Sequence, residues 1–167
     1  MRILLMRHAP AEDRDPQRWP DDRARPLTER GLRRARQAAR GVCALEREVA
    51  RIWTSPAVRA QATADAFAAE SGGDAIPEPF EALAPDAPLK AAVTLVRSLK
   101  GEGVVLVVGH EPGLSALAGA LLGAPARALG FKKCGACALE LDPAGARLGW
   151  WMTPRALRAV ARGRSRT

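Results

Sequence analysis

The sequence predicts a layered α/β fold, and three features carry that prediction. Short, almost wholly apolar runs occur at Arg2 to Met6 (RILLM) and Val104 to Val108 (VVLVV), the pattern of strands buried on both faces of a sheet. Longer segments with apolar residues at helical spacing lie between such runs. Proline, glycine and polar clusters mark the changes from one to the other.

Each element follows from local chemistry. RILLM is the first strand. Residues 11–27 are polar and hold three prolines, hence a long loop. Thr28 N-caps a helix with Glu29 in its first turn, running to about Val49, with Leu32, Ala35, Ala39, Val42 and Leu45 along one stripe. Ala50 to Thr54 (ARIWT) is a second short strand, ended by Ser55-Pro56. Pro56 suits the opening of a helix over Ala57 to Glu70, which Ser71-Gly72-Gly73 ends.

Ile76 to Phe80 contains Pro77 and Pro79, which restricts it to an edge strand or extended segment. Pro88 opens a helix to about Lys100, closed by Gly101-Glu102-Gly103. After VVLVV, Gly109-His110-Glu111-Pro112 turns the chain into the apolar helix Gly113 to Leu122. Cys134 to Leu141 and Arg147 to Met152 form two strands around Asp142-Pro143-Ala144-Gly145, and a last helix runs from Pro154 to Ala161. No repeat or linker divides the chain. Residues 1–154 form one expected domain, and 155–167 a basic helix end and tail.

A chain of 167 residues, 47% hydrophobic and 26% charged, buries enough surface to fold without disulfide or metal staples. The N-terminal apolar run is too short for a signal peptide, and no run reaches membrane-spanning length. The expected setting is the cytoplasm, away from membranes. The formal charge is +8, with only four lysines among 26 cations. Five arginines and no acid lie in 155–167, and subtracting them leaves +3 for the rest. The charge surplus therefore describes one solvated end. Aromatics are 4% with no Tyr, which leaves few stacking platforms, so nucleic acid is not an expected partner.

Cys43, Cys134 and Cys137 cannot all pair, and Cys134-Gly-Ala-Cys137 has no second Cys or His pair to complete a zinc site. No metal ligand set is expected. The chain has two histidines, His8 and His110, and each immediately follows an apolar strand and one further residue. Ligands of open α/β sheets gather beyond the carboxyl ends of parallel strands, so the two histidines are expected to meet there. Arg7 adjoins His8, and Arg59 lies one turn into the helix behind ARIWT. Guanidiniums offer a fixed fork of donors to phosphate oxygens, and helix N-termini favour anions. Two Arg and two His around one concavity describe a pocket for a tetrahedral dianion.

Four ordered blocks extend this reading: Met6-Arg7-His8-Ala9, Arg25-Pro26-Leu27-Thr28-Glu29-Arg30-Gly31, Thr54-Ser55-Pro56-Ala57-Val58-Arg59-Ala60-Gln61-Ala62-Thr63 and Val108-Gly109-His110-Glu111-Pro112. In order and spacing they resemble the histidine phosphatase superfamily, and the second and third blocks look like its SixA-like phosphohistidine phosphatase branch. The resemblance runs from Met1 to about Pro154. It implies a three-layer α/β/α sandwich with a mostly parallel central sheet, phosphoglycerate mutase-like. It implies a phosphatase in which His8 is the phosphorylated nucleophile, Arg7, Arg59 and His110 hold the phosphoryl oxygens, and Arg25 is a further phosphate contact. Ala9 departs from the Gly usual in the superfamily.

The chemistry is consistent on its own terms. Phosphoryl transfer needs an in-line nucleophile and positive groups around three equatorial oxygens, and flanking guanidiniums keep the imidazole neutral for attack. No cofactor is required. Larger relatives carry an acidic proton donor in the segment after the third strand, where this chain has Glu81 and Asp86; either fits. An alkoxide leaving group needs such an acid, whereas imidazole departs with modest help. The expected substrate is therefore phosphohistidine in a protein, with a small-molecule phosphoester as the alternative. A non-enzymatic polyanion binder is the remote third reading.

Overall fold

The computed structural model describes residues 1–46, 48–99, 101, 103–126 and 128–164. Lys100 and Glu102 of the expected helix end, and 165–167 of the basic tail, lie outside the described residues. The strands are β1 Arg2–Arg7, β2 Val49–Thr54, β3 Pro77–Pro79, β4 Val104–Gly109, β5 Ala136–Asp142 and β6 Gly145–Met152. The helices are α1 Glu29–Leu45, α2 Val58–Ser71, α3 Leu89–Arg97, α4 Gly113–Leu122 and α5 Pro154–Arg164, with 3-10 turns at Asp22–Ala24 and Glu81–Leu83.

The strands form one sheet in the order β3-β2-β4-β1-β5-β6. The first four are mutually parallel, and β5 and β6 add an antiparallel edge. Alternation along each strand divides the core in two. Leu4, Met6, Ile52, Leu106 and Val108 face α1, α2 and α5 with Ala39, Phe67 and Leu157. Ile3, Leu5, Trp53, Val105 and Val107 face α3 and α4 with Val96, Leu114 and Leu117. This is the three-layer sandwich. Phe67 is fully buried, and truncating such a ring to Ala costs about 3–5 kcal/mol. Among the described residues, no helix is long and apolar enough to cross a membrane.

Several boundaries differ from expectation, among them the following three. Helix α1 stops at Leu45, before the expected Val49, and Glu46 turns inward to accept Arg2 at 2.8 Å and Trp150 Nε1 at 2.9 Å. Strand β5 starts at Ala136, because Cys134 adopts φ 65° while its N–H donates to the Arg7 carbonyl. Helix α3 starts at Leu89, with Pro88 as its N-cap. The cap expected at Thr28 is present, its Oγ1 accepting from the Gly31 N–H at 2.9 Å. Cys134 and Cys137 are buried thiols, both pushed up to about 12 by burial.

The loop between β1 and α1 is pinned at its base. Ala11 bridges Leu27, Glu12 N–H donates to the Pro26 carbonyl, and Thr28 N–H donates to the Pro10 carbonyl. A Cβ on Gly31 would lie 1.8 Å from the Pro10 oxygen, so only glycine lets α1 come this close. The pinned base carries the turn Asp22–Ala24 over the carboxyl end of the sheet.

Candidate active site

Strands β1 and β4 pair in parallel with Arg7 opposite Gly109. The next residue on each is a histidine, and the His8 N–H donates to the Gly109 carbonyl at 3.0 Å. The two rings consequently sit 4.9 Å apart between centroids. Both are buried, each 6% exposed.

His8 Nδ1 lies 2.7 Å from the Ala9 carbonyl oxygen. A carbonyl only accepts, so in the neutral ring Nδ1 carries the proton and Nε2 holds the lone pair. Burial pushes the His8 pKa down to about 4, opposed by that hydrogen bond and reinforced by the charges of Arg59 and Arg7. His110 is pushed down to about 3, again mainly by burial, then by His8 and Arg59. Both imidazoles are neutral at neutral pH. The Ser55 hydroxyl lies 2.8 Å from His110 Nε2 and fixes that ring.

Ala9 is fully buried within the core shared with Leu4 and Met6, and its N–H donates to Thr63 Oγ1 at 3.0 Å. Its methyl group therefore packs away from the site rather than crowding it.

Arg59 is 2% exposed in the first turn of α2. Its Nη1 donates to the Asp22 carbonyl at 2.6 Å and its Nη2 meets Asp22 Oδ2 at 2.9 Å. Arg25 Nε donates to Asp22 Oδ1 at 2.9 Å, and Arg25 Nη1 to the Glu12 carbonyl at 2.6 Å. Asp22 thus aligns two guanidiniums. Hydrogen bonding from Arg25, ahead of the charge of Arg59, holds its carboxyl below the usual range. Arg7 is anchored by Nη1 to the Phe131 carbonyl at 2.7 Å. The Nε atoms of Arg7 and Arg59 are buried donors with no hydrogen-bond partner among the described residues. Such donors cost free energy unless an acceptor meets them.

Arg7, His8, Arg25, Arg59 and His110 all line one cavity of about 330 Å³, together with Arg14 and Lys133. Among the described residues its lining holds five cations and three carboxylates, Glu12, Asp13 and Glu111. Glu111 is occupied: its Oε1 accepts from Ser115 Oγ and the Phe131 N–H, both at 2.7 Å. The balance is cationic and suits a tetrahedral oxyanion.

Glu81 and Asp86 stand elsewhere. Both pair with Arg23, at 3.0 and 2.8 Å, both are 73% exposed, and neither lines the cavity. Asp22, Ser55 and Lys133 were not singled out from the sequence. For Asp22 a signal exists, an acid three residues before Arg25 in a loop leading to a capped helix; Ser55 and Lys133 have none. Among the described residues, no group of three or more His, Cys, Asp or Glu is arranged to hold a metal ion.

Two histidines and the buried Arg25 and Arg59 thus meet at the carboxyl end of the parallel part of the sheet. The family model of the histidine phosphatase superfamily (branch 1) matches residues 3–83. An uncharacterized protein of Picosynechococcus sp. (strain ATCC 27264 / PCC 7002 / PR-6) is 32% identical over 143 residues, 84% of this chain and 85% of its own. The chain belongs to the histidine phosphatase superfamily. Its fold matches that of the protein histidine phosphatase SixA complexed with tungstate, at TM-score 0.84 and 24% identity, over 94% of this chain and 99% of the other. It also matches the alpha-ribazole phosphatase from Shigella flexneri (TM-score 0.71, 16% identity, 92% and 97% covered). A mycobacterial glucosyl-3-phosphoglycerate phosphatase shares it too (TM-score 0.68, 21% identity, 91% and 98% covered).

Proposed function

We propose that the protein is a phosphatase that removes the phosphoryl group from phosphohistidine in a protein, through a covalent intermediate on His8. One observation carries this reading: the neutral His8 ring, with its lone pair on Nε2, lines the same cavity as Arg7 and Arg59, whose buried Nε donors have no hydrogen-bond partner among the described residues.

The sequence of events follows from these groups. The phosphoryl oxygens take the hydrogen bonds that Arg7 and Arg59 offer, with Arg25 and neutral His110 beside them. His8 Nε2 attacks phosphorus in line, a new N–P bond forms, and the P–N bond to the substrate imidazole breaks. The departing imidazole takes a proton from solvent. Water then attacks the phosphorus on His8, releasing inorganic phosphate and the free ring. The guanidiniums bear the charge that develops on the three equatorial oxygens, so neither metal nor cofactor enters the scheme. We place this activity in the cytoplasm.

The choice of a P–N bond rests on the leaving group. Glu81 and Asp86 are held by Arg23 outside the cavity, and an alkoxide would need an acid worth ~10²–10⁴ in rate. The second reading, a small-molecule phosphomonoesterase, is favoured by the shared fold with the alpha-ribazole and glucosyl-3-phosphoglycerate phosphatases. The test is phosphate release from a phosphohistidine-bearing protein against a panel of small phosphoesters, with His8→Ala alongside. Faster turnover of an alkyl phosphoester than of phosphohistidine would select the second reading.

A further inference from the structure

A second cavity, of about 210 Å³, adjoins the cationic one and shares His110 and Pro85 with it. Its walls come from different elements: Leu83 of the second 3-10 turn, Ala92 of α3, and Gly113, Leu114 and Leu117 of α4. Among the described residues His110 is its only ionisable lining group, and burial holds that ring neutral. The two cavities are therefore complementary in chemistry. One offers charge to an oxyanion, and the other offers apolar surface to whatever is attached to it.

Physical chemistry restricts that attachment. A charged or polyhydroxylated group entering the second cavity would lose hydration and, among the described residues, meet no polar side chain other than His110. An uncharged ring would instead bury apolar area on Leu83, Leu114 and Leu117. The size agrees, since a dry cavity of roughly 150 Å³ already admits benzene. We propose that this cavity is a subsite for the group bearing the phosphoryl, and that it selects a compact, uncharged ring, aryl or imidazolyl, directly bonded to it. The proposal rests on the phosphatase reading in that the cationic pocket takes the phosphoryl. It adds the class of substituent, and Leu83, Ala92 and the first turns of α4 become specificity determinants.

Phosphonates test this by binding alone, because their P–C bond is not hydrolysed. Phenylphosphonate and methylphosphonate are titrated calorimetrically at a pH where both are dianions. The phenyl compound is expected to bind at least about tenfold more tightly, from the apolar area of the ring. Gly113→Leu fills the cavity from α4, where an added Cβ meets nothing within 4 Å. Ala92→Leu fills it independently from α3. In both variants the ratio of the two affinities is expected to fall towards one. A ratio near one in the unmodified protein, or an undiminished ratio in both variants, overturns the subsite while methylphosphonate binding leaves the phosphatase reading standing. Binding of neither phosphonate would instead bring down the phosphate pocket, and the subsite with it.

Discussion

Asp22 meets Arg59 twice, through Oδ2 to Nη2 at 2.9 Å and through its carbonyl oxygen to Nη1 at 2.6 Å. Both terminal nitrogens of that guanidinium are therefore committed to one residue of the β1–α1 loop. Among the described residues its Nε has no partner. The same carboxylate holds Arg25, so one acid sets the aim of two cations whose net charge it halves.

Removing this acid is expected to separate binding from catalysis. Asp22→Ala frees positive charge for anions but releases the alignment of Arg59. Small misplacements of such groups cost up to ~10² in rate. The kcat is expected to fall about tenfold or more, with inorganic phosphate inhibiting at least as well as before. Asp22→Asn, which keeps an acceptor, should recover part of the rate. Weaker phosphate inhibition together with unchanged kcat would contradict the assignment.

His8→Ala is expected to abolish turnover and the phosphoenzyme together. Acid-labile phosphate trapped on rapidly quenched native enzyme, and absent from the variant, is the measurement. Turnover that persists in His8→Ala would transfer the nucleophile elsewhere.

The acid behaviour follows from the buried histidines. Unfolded, each titrates near ~6.5; folded, His8 sits at about 4 and His110 at about 3. Between these values the unfolded chain binds protons that the native protein does not, so stability falls as pH drops below about 6.5 and is complete above it. The urea midpoint should decline from pH ~7 to ~5, less steeply in His110→Asn. In the same range kcat/KM, corrected for substrate ionisation, should lack an acid limb near ~6.5 and fall only towards the His8 value.

Glu81→Gln and Asp86→Asn are each expected to change kcat/KM for phosphohistidine by less than about threefold, since a good leaving group needs little protonation. Both side chains are exposed on Arg23 rather than in the cavity. A loss of ~10² or more in either variant would make that carboxylate the proton donor.

Gly31→Ala is expected to cost at least about 2 kcal/mol, because its Cβ would collide with the Pro10 carbonyl at 1.8 Å. Chemical denaturation reads the loss directly. Gly113→Ala, with nothing within 4 Å of its Cβ, is the control expected to leave the midpoint nearly unchanged.

The features the sequence determined by itself are local ones. Apolar runs fixed RILLM and VVLVV as buried strands, Thr28 marked a helix start, and paired prolines confined 77–79 to the sheet edge. Each depends on neighbours within a few residues, through hydrogen bonding, φ restriction or periodicity. That each histidine follows a strand was legible for the same reason. That the two strands are adjacent was not a local property: it arises from parallel pairing across some hundred residues, which brings the rings to 4.9 Å. Only the tertiary structure could give Asp22 to Arg59, Ser55 to His110, and Arg23 to Glu81 and Asp86. A polar side chain takes its partner from whatever distant segment packing delivers within hydrogen-bond range, and no pattern in its own segment records which one that will be.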